Sequence, residues 1–209
     1  MLLNPVIEAT LEEAKELLIP EDRQKILRDL IGYIQKKKDA GEPVRLNFIC
    51  THNSRRSQFA QIWAQAIAAK MDLDISSYSG GVEVTAFNDN AIAAIEKAGY
   101  TVIKEDGDNP LVKVLYSSKS FPINAFSKKY DDPPNPESGF AAVMTCSHAD
   151  ETCPFIPGAE ARIPLNYEDP KQFDGTVEEA KKYDERSKQI ASEMLYVFSS
   201  GSLKRSKTA

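Results

Sequence analysis

The chain has 209 residues, 42% hydrophobic and 27% charged, with 26 basic and 31 acidic side chains and a formal net charge of -5. This balance argues against a nucleic-acid partner, and an anionic substrate has to be drawn by a local positive site. No apolar run nears the roughly 20 residues that span a bilayer, Met1 to Glu8 lacks the basic start of a secretory signal, and three cysteines argue for a reducing cytoplasm over a disulfide framework.

The first 43 residues read as a helical extension. Thr10 with Glu13 resembles a capping box opening a helix through Leu18. Pro20, Glu21 and Asp22 start a second helix, with Ile26, Leu27, Leu30, Ile31 and Ile34 at helical spacing, Lys36 to Lys38 in its last turn and Gly41 beyond it. Val44 to Ile49 form an apolar strand ending at Cys50, and a loop leads into a helix through about Lys70. A strand over Ile75 to Ser79, a turn at Gly80 and Gly81, and a helix from Asn88 or Asn90 to Gly99 follow. Tyr100 to Ile103 and Leu111 to Tyr116 are extended, and the proline-rich stretch Asp131 to Gly139 is loop. Phe140 to Thr145 is a buried strand ending at Cys146, Ala161 to Leu165 is another, and a helix spans about Val177 to Phe198 before a polar tail, 199–209. Alternating strands and helices imply an α/β fold with a mostly parallel sheet and helices on both faces.

The segment Cys50-Thr51-His52-Asn53-Ser54-Arg55-Arg56-Ser57 joins a strand to a helix. Such a loop turns backbone N–H groups toward one point, and the helix dipole adds positive character there. Arg56 can grip two oxygens of a tetrahedral anion, Asn53 tolerates a left-handed backbone, and Ser57 is within reach of the Cys50 sulfur. A thiolate is the attacking species in such chemistry, and a positive loop favours it.

This Cys-x5-Arg-Ser loop resembles that of the low-molecular-weight protein tyrosine phosphatases. The run Cys50 to Gln58 is closer still to their thioredoxin-coupled arsenate reductase branch. The resemblance covers about residues 44–198. It implies a small doubly wound, flavodoxin-like α/β domain over 44–198 with the anion beyond the carboxyl ends of the strands, bound by Thr51, His52, Asn53, Ser54, Arg55, Arg56 and Ser57. No bound cofactor or metal is implied, and a thioredoxin-like reductant is the co-substrate.

Cys146 and Cys153 stand where that branch carries its redox pair, and Met144 to Pro157 resembles the redox segment. Across a helix the two Cα atoms would lie about 10 Å apart, beyond the roughly 7 Å limit of a disulfide, so oxidation requires the segment to unwind. Two unrelated buried cysteines are the alternative; zinc is disfavoured by the spacing, and His148 reads as a polar loop residue. The Asp169-Pro170 pair after the last strand matches the family's general acid, which makes Asp169 the proton donor.

Some positions depart from the family. His52 replaces a glycine, Arg55 replaces an uncharged residue and reads as a solvated surface arginine, and Gln61 replaces a glutamate that helps bind a monovalent cation, so that site is not carried over. The long connection Ser117 to Ser138 offers Phe121, Phe126 and Tyr130 either as a lid or hairpin wall near the site or, the more frequent role of such aromatics, as small-cluster packing. The leading reading is arsenate reduction by a Cys50, Cys146, Cys153 relay. The alternatives are a phosphotyrosine phosphatase working through a Cys50 phosphoenzyme and a non-catalytic oxyanion or redox sensor.

Overall fold

The strand Val44–Cys50 (β1) lies between the two sides of the molecule. In the computed structural model, which describes residues 2–152 and 155–200, Leu46 and Phe48 enter one hydrophobic cluster and Ile49 and Cys50 another. Every β1 residue but Arg45 is buried, as befits the centre of a parallel sheet covered on both faces. Its neighbours are Ile75–Gly81 (β2) on one side and Phe140–Met144 (β6) on the other, with Ala159–Ile163 (β7) outermost, giving the all-parallel order β2-β1-β6-β7. The chain therefore winds outward first to one side of β1 and then to the other, and the reversal falls at the end of β1, where Cys50 stands.

The larger cluster is shared by Pro5–Lys15 (α1), Glu21–Asp39 (α2), Arg56–Lys70 (α3), Asp89–Lys97 (α4) and Glu179–Ser199 (α6). Helix α3 is buried on nearly every side, and Trp63 Nε1 donates to Ser187 Oγ of α6 at 2.9 Å. The second face carries the smaller cluster, where Ala149 of the short helix Ser147–Thr152 (α5) and Ile156 cover Phe140, Ala142 and Met144.

Three local expectations are corrected. Helix α1 begins at Pro5, with Asn4 Oδ1 accepting from Val6 N at 3.0 Å; Thr10 lies inside it and donates to Val6 O. Proline at the first helical position and Asn before it outcompete the Thr10–Glu13 pair. Gly80 and Gly81 are not a turn but the last residues of β2, because neighbouring backbone presses on both. Finally, Thr101–Lys104 (β3), Val112–Leu115 (β4) and Ile123–Ala125 (β5) form a separate antiparallel sheet, so part of the Ser117 to Ser138 connection is a strand. Val112, Val114, Ile123 and Ala125 of that sheet enter the larger cluster.

Helix α2 follows the Pro20 start and ends before Gly41, whose φ is +67°. Helix α4 is capped by Asn88, with its Oδ1 accepting from Ala91 N at 3.2 Å. Among the described residues no helix is long and apolar enough to cross a membrane.

Candidate active site

Residues 51–55 leave β1 and turn into α3 around the Cys50 sulfur. Ser57 Oγ lies 3.0 Å from Cys50 Sγ and Asn53 N donates to it at 3.2 Å. Asn53 takes the left-handed backbone its side chain tolerates, at φ +47°. Its amide group braces the loop from within: Nδ2 donates to Ser57 Oγ at 2.9 Å and Oδ1 accepts from Lys128 N at 3.1 Å. From α3, Gln58 Nε2 donates both to Asn53 O and to Phe126 O. Gln58 directly follows the motif, and nothing in its sequence position announced this brace.

Arg56 points back over the loop. Its Nη1 donates to Tyr167 O at 2.9 Å and its Nη2 to Asp169 Oδ2 at 2.7 Å. Its Nε is buried and has no hydrogen-bond partner among the described residues, which leaves a donor for an oxyanion oxygen. Arg55 is not the solvated arginine its position suggested. Only 9% of its side chain is exposed, and Nε donates to Asp169 Oδ1 at 2.9 Å. Asp169 is thus clasped by two arginines, and it also caps the 3-10 turn Pro170–Phe173 by accepting from Lys171 N. Burial pushes its carboxyl up, but Arg56 and Arg55 outweigh burial and hold it below the usual carboxylate range. The space ringed by Cys50, His52, Ser54, Arg55, Arg56 and Asp169 is too small for a water molecule.

Cys146 lies two residues beyond the end of β6, the strand beside β1, and shares the smaller buried cluster with Cys50. Its Sγ is 3.4 Å from Thr51 Oγ1 and accepts from Ala149 N at 3.4 Å. His148, expected in a loop, is in α5, with Nδ1 3.3 Å from Thr51 Oγ1. Cys153 lies outside the described residues. His52 faces outward, its Nε2 3.3 Å from Glu83 Oε2, and its carbonyl accepts from Ser127 Oγ at 2.8 Å. Ser54 turns its hydroxyl away from Cys50, donating to Ala86 O at 2.6 Å.

Beside the loop opens a cavity of about 500 Å³ whose walls include His52, Arg55, Phe87, Lys104, Asp108 and Lys171. Of the two readings of Phe121, Phe126 and Tyr130, the wall is not met, since none of the three lines this cavity. Phe121 is 91% exposed, Phe126 underlies the Lys128 ammonium at 4.7 Å, and Tyr130 packs against the smaller cluster. The strand pairing of β5 and the bridge between Gly81 and Lys129 carry these side chains elsewhere. Gln61 binds Ser77 O and accepts from Ser79 Oγ, so it is occupied within the protein. Among the described residues no group of three His, Cys, Asp or Glu side chains is arranged to hold a metal ion.

Tyr167, passed over in the sequence, is central to the support of Arg56. Its hydroxyl donates to Glu193 Oε2 at 2.7 Å, and Arg23 of α2 lies over its ring at 4.9 Å while donating to both Glu193 oxygens. Glu193 is buried in α6, and such a charge requires partners.

No family model matches the chain. The arsenate reductase of Halalkalibacterium halodurans is 29% identical over 132 residues, covering 63% of this chain and 78% of that protein. That of Bacillus licheniformis is 26% identical over 139 residues, covering 66% and 83%. The low-molecular-weight phosphotyrosine phosphatase from Vibrio cholerae superposes with a TM-score of 0.51 at 14% identity, covering 74% of this chain and 94% of that one. The fold is that of the low-molecular-weight phosphatases, and the similarity to the arsenate reductases marks the chain as an enzyme. Its sequence is similar to those two arsenate reductases.

Proposed function

We propose that the protein reduces arsenate to arsenite through a thiol relay. The observation that carries this reading is the second thiol: Cys146 and Cys50 share one buried cluster near the ends of adjacent strands, with Thr51 bridging toward Cys146 at 3.4 Å. A phosphatase needs only the first cysteine.

In the proposed cycle arsenate displaces Asp169 from Arg56 and is held by that guanidinium and the loop amides. The Cys50 thiolate attacks arsenic, and one oxygen departs as water. The Cys146 thiolate then attacks the Cys50 sulfur; the S–As electron pair stays on arsenic, which leaves as arsenite, and a Cys50–Cys146 disulfide remains. Cys153 attacks Cys146, frees Cys50, and the Cys146–Cys153 disulfide passes its oxidation to a cytoplasmic dithiol of the thioredoxin type.

The second reading, hydrolysis of a phosphate ester through a Cys50 phosphoenzyme, is favoured by the position of Asp169 beside Arg56 and by the cavity next to the loop, which has room for a leaving group. Cys50→Ser abolishes both reactions under either reading, since serine is the weaker nucleophile. The deciding variant is Cys146→Ser, assayed side by side with arsenate plus a dithiol reductant and with an aryl phosphate. Multiple turnover of arsenate stops while ester hydrolysis persists. If the variant turns over arsenate normally, or the parent protein turns over none, the relay is refuted.

A further inference from the structure

We propose that Arg55 decides which of the two reactions the site performs: it retains Asp169 as an arginine-bound carboxylate when the oxyanion claims Arg56, and so biases the site toward thiol transfer over ester hydrolysis. The inference rests on the proposed roles of Cys50, Arg56 and Asp169.

The geometry supplies the argument. Arg55 holds both Asp169 oxygens, at 2.9 Å from Nε and 3.5 Å from Nη2, while Arg56 shares one of them at 2.7 Å. Arg55 is the residue before the first turn of α3, at φ -135° and ψ -80°, and makes no cap with its side chain. Its guanidinium is therefore committed to Asp169 and not to the helix. An oxyanion that grips Arg56 through its unpartnered Nε and its Nη2 withdraws the Nη2 donor from Asp169. With one arginine, that exchange would release the carboxylate and let it gain a proton. With two, Arg55 stays in place and the carboxylate stays charged.

The other charges near Asp169 do not undo this. Across a small cleft from it stand Glu168, Lys182, Glu185 and Arg186, but Lys182 pairs with Glu185 at 2.8 Å and Arg186 with Glu168 at 3.3 Å. On the loop side are Cys50 and His52, and His52 is paired with Glu83. Lys171 meets Asp169 through its backbone N–H. The clasp by Arg56 and Arg55 outweighs burial and keeps the carboxyl below its ordinary range.

The two reactions differ in their need for that proton. In ester hydrolysis Cys50 forms an S–P bond, the ester P–O bond breaks, and its electron pair goes to an oxygen that has no proton of its own; Asp169 must supply one, and water later cleaves S–P. In arsenate the departing oxygen is a hydroxyl, and the acid's own protons accompany it. A carboxylate kept charged therefore handicaps hydrolysis of esters with poor leaving groups and spares arsenate.

The test is a series of aryl phosphates from para-nitrophenyl to phenyl phosphate, with arsenate reduction measured in parallel on the same preparations. The parent protein should show a steep fall in kcat/KM toward phenyl phosphate. Arg55→Gln should raise phenyl phosphate hydrolysis about tenfold at neutral pH and extend its activity to higher pH, with little gain for the nitrophenyl ester. Adding Asp169→Asn should erase the gain, which a merely structural role for Arg55 would not require. A shallow leaving-group dependence in the parent protein, which involves no variant, overturns the proposal. So does an unchanged or lower phenyl phosphate rate in both Arg55→Gln and Arg55→Ala. Absence of arsenate turnover in the parent refutes the proposed function instead, and the ester series still decides the role of Arg55.

Discussion

At the scale of single residues, the polar groups behind the loop carry as much of the site as the motif. Lys128 is the sharpest case. It is 3% exposed, its Nζ has no hydrogen-bond partner among the described residues, and burial pushes its pKa down to about 8. In the unfolded chain the same ammonium titrates near 10.4. Below about pH 8 the folded state carries the full cost of burying the charge. As pH rises from there toward 10.4 the unfolded chain holds a proton that the folded one has lost, so the penalty is relieved. Lys128→Met should therefore stabilise the protein at pH 7 by on the order of 2–3 kcal/mol, with the advantage shrinking at pH 10. Urea unfolding of parent and variant at both values checks this, and an advantage independent of pH would sink it. The motif residues Cys50, Asn53, Arg56 and Ser57 were legible because strand, loop and helix follow one another in sequence. Lys128, Tyr167 and Glu193 were not, because each meets the site through contacts 26 or more positions away. Arg55 was misjudged for the same reason, since its partner Asp169 is 114 positions distant.

At the scale of elements, the parallel sheet was readable from short apolar runs bounded by turn residues, and the antiparallel sheet was not. Strand β5 has three residues, and its pairing with β4 leaves no period to detect. The end of β2 shows what such close packing demands. A Cβ on Gly81 would stand 2.7 Å from Glu83 O and 2.8 Å from both Asn53 N and Thr51 O, all of them backbone atoms. The same Asn53 N–H donates to Cys50 Sγ. Gly81→Ala must therefore shift the anion loop, and misplacement of about 1 Å costs on the order of 100-fold in rate. We expect kcat/KM for an aryl phosphate to fall by about that factor; a rate within twofold of the parent would show that the loop absorbs the methyl group.

For the molecule as a whole, the first 43 residues are part of the core. Ile7, Leu11, Leu27, Leu30 and Ile34 are buried in the same cluster as Phe48 and Trp63. At Gly99 an added Cβ would lie 2.6 Å from Val6 Cβ, so α1 is seated directly on the turn after α4. Deleting residues 1–43 should yield an insoluble or unfolded chain with no cooperative melting transition; a soluble, active remainder would establish 44–198 as self-sufficient. Arg23 adds a consequence that concerns how the chain is made. Arg23, Glu193 and Tyr167 form one clasp whose last member to Arg56 is the Tyr167 carbonyl. Synthesis on the ribosome delivers Arg23 first, the cysteine loop next, and Glu193 only 170 positions after Arg23. Until Glu193 emerges, the nascent chain thus carries the Cys50 thiol without the clasp that steadies its arginine. The nucleophile is emitted long before its scaffold, and activity should appear only once α6 has left the ribosome.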